Sequence, residues 1–82
     1  MSVDLKNQLQ AIAANLEGTV GDIYSSMQNN RNMLDALHQA AEKGIKEEIT
    51  KAANGLGEVN QTLQDQAEKQ TKIAVYLRQL TR

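Results

Sequence analysis

The chain has 82 residues, nine basic against ten acidic with one His, a net charge of −1, and no Cys, Pro, Trp or Phe. That length holds one domain with a thin core, and small chains of this kind lean on disulfides, metals or association. Without Cys there is no disulfide, one His without thiolates argues against zinc, and balanced charge argues against a dedicated nucleic-acid binder, which carries a basic excess.

Along the first arm, Ser2 suits a helix N-cap, with Asp4 in the first turn. Apolar residues then recur every three or four positions: Leu5, Leu9, Ile12, Leu16, Val20, Ile23, Met27, then Leu34, Leu37 and Ala41, with Asn30 as the one polar interruption. Such a stripe belongs to coiled coils and helix bundles, and no stretch alternates with the period of two that marks a strand. Gly18, Gly21 and the polar run Gln28–Asn32 are weak points in this arm.

Mid-chain, Lys43 followed by Gly44 reads as a helix end, a cation in the last turn and then a left-handed glycine cap. Beyond it the stripe resumes through Ile45, Ile49, Ala52, Leu56, Val59, Leu63, Gln66, Gln70, Ile73, Leu77 and Leu80. The expected fold is all-α: an antiparallel hairpin with helices over about 3–42 and 46–80 and a turn over 43–45. Two such hairpins, or a hairpin and another coil, would pair into a four-helix or coiled-coil assembly. Mirroring the arms about Gly44 opposes Ala41 to Ile45, Leu37 to Ile49, Leu34 to Ala52, Met27 to Val59, Ile23 to Leu63 and Leu9 to Leu77. The alternatives are a turn at Asn54–Gly57, three helices, or one rod of about 120 Å at 1.5 Å per residue.

The polar members Asn30, Gln66 and Gln70 either set register or mark places where the arms splay and admit water. A second apolar set lies off the stripe, and Tyr24, Met33, Val75 and Tyr76 are the candidate partner-binding residues within it. The run Ile73–Leu77 is apolar around the whole helix, which calls for cover.

Little in the chain suits catalysis or a cofactor. Ser25 and Ser26 stand roughly 18 Å or more from His38 along one helix. His38, flanked by Asp35 and Glu42, reads as a solvated histidine, and Glu47 with Glu48 as exposed charges. Gly55 and Gly57 follow no strand and precede no Gly-Lys-Ser/Thr, so they are no phosphate loop. No cofactor, metal or small-molecule substrate is expected. No apolar run approaches a membrane span, and the N-terminus lacks the apolar stretch of a signal peptide. The expectation is therefore a cytoplasmic protein, or one that leaves the cell without a cleaved leader.

The last third, Ala52-Ala-Asn-Gly-Leu-Gly-Glu-Val-Asn-Gln-Thr-Leu-Gln-Asp-Gln66 followed by Lys72-Ile-Ala-Val-Tyr-Leu-Arg-Gln-Leu80, together with the two-armed architecture, resembles WXG-type proteins of bacterial type VII secretion. It resembles in particular the small helical partners that accompany LXG toxins. The chain departs from that pattern in two places: Glu42-Lys43 rather than Trp-x precedes Gly44, and the fourth residue after Tyr76 is Leu80 rather than an acid. The resemblance implies a targeting or chaperone-like partner that packs lengthwise against another helical protein, with Tyr76 near the surface read by the secretion machinery. The rival expectations are a homo-oligomeric adaptor unrelated to secretion and, with less support from the charge pattern, a small RNA-binding hairpin dimer.

Overall fold

A computed structural model describes all residues, 1–82, as two helices, α1 (Val3–Ala41) and α2 (Lys46–Leu80). They fold back on each other as an antiparallel hairpin 63 Å long and about 14 Å across at the Cα atoms. Neither helix is long and apolar enough to cross a membrane.

Local chemistry accounts for the ends. The Ser2 hydroxyl accepts a hydrogen bond from the Leu5 N–H at 3.1 Å, and Asp4 stands in the first turn of α1, where a negative charge opposes the helix dipole. α1 ends at Ala41, and residues Glu42 to Ile45 make the turn. Gly44 has φ +154° and Ile45 lies in the left-handed helical region at φ 40°, ψ 44°. Glycine accepts its angle freely, whereas a β-branched residue at positive φ is strained. α2 starts from this strained residue with no side-chain cap, but with Glu47 and Glu48 in its first turn. It closes on Thr81, whose buried hydroxyl donates to the Leu77 and Arg78 carbonyls.

The weak points do not break the helices. α1 runs through Gly18, Gly21 and Gln28–Asn32, and α2 through Asn54–Gly57. Gly18, Gly21, Gly55 and Gly57 sit in helix with open space around them.

The core is thin. Its buried apolar residues are Ala13, Ile23, Met27, Ala53, Ala67 and Ala74. At mid-length Ile23, Met27 and Ala67 form its centre, with Val20 and Leu63 packed against them. Leu63, which the mirrored arms set opposite Ile23, packs against the cluster to which Ile23 belongs.

Candidate functional site: an uncharged apolar flank

Both helices carry two rows of residues on their facing sides. In α1 these are Leu9, Leu16, Ile23, Asn30 and Leu37 beside Ala13, Val20, Met27, Leu34 and Ala41, all buried or half-buried. In α2 they are Ile49, Leu56, Leu63, Gln70 and Leu77 beside Ala53, Asn60, Ala67, Ala74 and Thr81, again all buried or half-buried.

This geometry rotates α2 relative to the expected stripe. Ile49, Leu56, Leu63 and Leu77 keep their place, but the inward companions are Ala53, Asn60, Ala67, Ala74 and Thr81. The row one residue earlier, Ala52, Val59, Gln66, Ile73 and Leu80, faces outward. Val59, Ile73 and Leu80 are 49%, 50% and 44% exposed. In α1 the same correction applies at the N-terminal end, where Ala13 is buried while Leu5 and Ile12 are exposed. Ile45 belongs to the turn and is 71% exposed, so it does not oppose Ala41. The pairs Met27–Val59 and Leu34–Ala52 fail with the rotation.

Two causes favour the small row inside. Alanines on one helix let the other approach, and the longer side chains of α1 fill the space, as Ile23 and Met27 do over Ala67. The rotation also brings Asn60 to Asn30. The Asn30 side-chain amide donates to Asn60 Oδ1 at 2.8 Å, and the Asn60 amide donates to the Met27 carbonyl at 3.2 Å. Asn30 is thus a half-buried link across the seam, and Asn60 is its counterpart. The outward stripe hid Asn60, because Val59 occupied its place there; asking which polar residue could answer Asn30 would have found it. Gln66 instead lies outside and donates to half-buried Gln70 at 2.8 Å along the same helix.

Turning the small row inward leaves the two flanks of the hairpin unlike each other. On one, Arg78 meets Glu17 at 2.7 Å. The hydrogen bond that Arg78 donates, helped by its charge and opposed by desolvation, holds the Glu17 carboxyl below its ordinary range. Tyr24 and Arg31 follow Glu17 at seven-residue spacing on this side, and Val75, three residues before Arg78, borders it.

The opposite flank carries Leu5, Ile12, Thr19, Ser26, Met33 and Ala40 from α1 and Ala52, Val59, Gln66, Ile73 and Leu80 from α2. Every one is exposed and none is charged. Tyr76, 60% exposed, borders it between Ile73 and Leu80. Toward the turn, Met33, Ala36, Leu37, Ala40 and Leu56 line an open apolar hollow. Of the candidate partner-binding residues, Met33 and Tyr76 therefore share this flank, whereas Tyr24 and Val75 lie toward the other. No three His, Cys, Asp or Glu side chains converge on a point. Comparison with family models, curated proteins and solved structures finds no match.

Proposed function

We propose that this protein is a non-catalytic helical interaction module, and that its uncharged flank receives another helical chain lengthwise. One observation carries the reading: a row of exposed positions running the length of both helices holds no charged residue, in a chain that is 23% charged. A two-stranded coil needs apolar residues at two positions in seven. A third, adjacent apolar row widens the stripe to the face that helices present inside a larger bundle. Here α1 and α2 carry a third row on the same side of the hairpin, apolar except at Thr19, Ser26 and Gln66.

The likeness to type VII secretion proteins supports a narrower version, in which the module is a targeting or chaperone-like companion of an exported helical protein. A coiled-coil adaptor unrelated to secretion would use the same flank.

A photo-crosslinking residue at Ile73, compared with one at Tyr24 on the opposite flank, tests the reading in cells producing the full chain. Protein adducts at Ile73 and few at Tyr24 are expected, and an LXG-type helical segment in the adduct would support the narrower version. Equal labelling at both positions, or none at Ile73, would reject the flank as a docking face.

A further inference from the structure

We infer that the flank is covered by a second copy of this chain, lying face to face with the first and with both turns at the same end, so that four helices form one antiparallel bundle. This rests on the reading of the flank as a helix-docking face and names its occupant.

The first ground is charge along the rims of the flank. Asp22 lies on the α1 rim, between Thr19 and Ser26, and Lys69 on the α2 rim, between Gln66 and Ile73. The Asn30–Asn60 link sets the register. Counted from it toward the chain ends, Asp22 and Lys69 stand at about one height. They occupy opposite rims of one hairpin, whose ion pair is elsewhere, between Glu17 and Arg78. A twofold axis along the hairpin lays α1 of one copy over α2 of the other. Each Asp22 then meets the Lys69 of the second copy, and near the turn Lys43 comes to the height of Glu48. The head-to-tail alternative has its axis across the hairpin. Since Asp22 is the midpoint of Val3–Ala41, that axis would bring the two Asp22 carboxylates together, which electrostatic complementarity disfavours.

The second ground is the pattern along the face. Leu5, Ile12, Ile73 and Leu80 form one apolar end, Met33 and Val59 belong to the other, and Thr19, Ser26 and Gln66 lie between. Copies centred on one another place apolar on apolar and polar on polar in either direction, so the face is self-complementary and the rim charges set the direction. Every neighbouring pair of helices in the bundle is then antiparallel, as in up-and-down bundles.

The third ground is size. A face 63 Å long and about 14 Å wide offers roughly the 800 Å² per partner of a standard stable interface. The single hairpin also needs it, because no large side chain in it is fully buried.

The full-length chain, studied by sedimentation at micromolar concentration, is expected at twice its 9.0 kDa mass. Spin labels on Gln39→Cys, exposed near the turn, should lie within about 35 Å of each other. A head-to-tail pair would separate them by about 50 Å or more, given 1.5 Å per helical residue. Asp22→Lys and Lys69→Asp should each weaken the dimer by about three- to tenfold, and the double swap should restore it to within about twofold. Ile73→Glu should abolish it. Should that variant also lose helicity, the charge swaps still decide the matter.

A folded monomer at about 100 μM, the long spin-label distance, or a double swap no better than the single ones would overturn the inference. A folded monomer whose Ile73 still crosslinks to a different protein would overturn it while leaving the docking face in place. A monomer without Ile73 adducts would remove both.

Discussion

At the scale of single residues, two positions carry more consequence than their size suggests. Asn60 satisfies Asn30 and the Met27 carbonyl together. Asn60→Ala strands the Asn30 amide and removes the second donor of the Met27 carbonyl, which keeps its helical partner, and because the pair is half-buried the expected loss is about 1 kcal/mol by urea unfolding. Replacing both asparagines by Leu should recover that loss while letting the arms slide, since a polar pair in an apolar seam specifies register. Ile45 works in the other direction. Its backbone sits in the left-handed region and its side chain is largely in solvent, so strain is retained without packing in return. Ile45→Asn or Ile45→Gly should raise stability by about 1 kcal/mol, read from the same denaturation curves. The Glu17–Arg78 pair contributes a pH dependence of known sign. A carboxyl whose folded pKa is lowered stabilises above its unfolded pKa, and that contribution disappears as pH falls through the folded value. Melting of the parent should therefore fall more steeply on acidification below pH 4.5 than melting of Glu17→Gln, by a small amount because both groups are exposed.

At the scale of the element, the rotation of α2 is the feature to test, and Gln66 and Ala67 test it as neighbours. Ala67 is fully buried against Ile23 and Met27, whereas Gln66 is exposed. Ala67→Leu overfills the seam and should cost about 1–3 kcal/mol in unfolding free energy. Gln66→Leu should be tolerated or should strengthen association. The reverse ranking would mean that the larger row faces inward. The helices themselves follow from composition: no Pro interrupts them, and Ala, Leu, Gln, Glu and Lys favour helix. Their persistence through Asn54–Gly57 shows tertiary pairing overriding a local turn signal. Breaking α2 there would forfeit the packing of Ala53 just before the signal and of Leu56 within it.

At the scale of the whole molecule, a 63 Å hairpin whose six buried apolar residues include four alanines has little apolar burial to oppose chain entropy. Association through the uncharged flank would supply what the fold by itself lacks. Folding would then be coupled to concentration, so the midpoint of thermal unfolding should rise by several degrees between about 1 μM and 100 μM chain. A midpoint that stays constant over that range would show that the hairpin is stabilised entirely from within.

Much of this protein was legible in its residues. The three-and-four spacing marked helix along the chain, Lys43-Gly44 pointed to the turn that Glu42 to Ile45 make, although the left-handed residue is Ile45 and not Gly44, and Ser2 began the first helix; these local properties left a turn at Asn54–Gly57, three helices and a single rod open. The facing rows were not legible. Ile49, Leu56, Leu63 and Leu77 belong equally to a stripe completed by Val59, Ile73 and Leu80 and to one completed by Ala53, Ala67 and Ala74, and hydrophobicity alone prefers the first. Only the pairing of the arms decided for the second, because close approach over alanine and the Asn30–Asn60 link are relations between two helices. That decision left the larger row outside, on the flank to which the proposed partner is assigned.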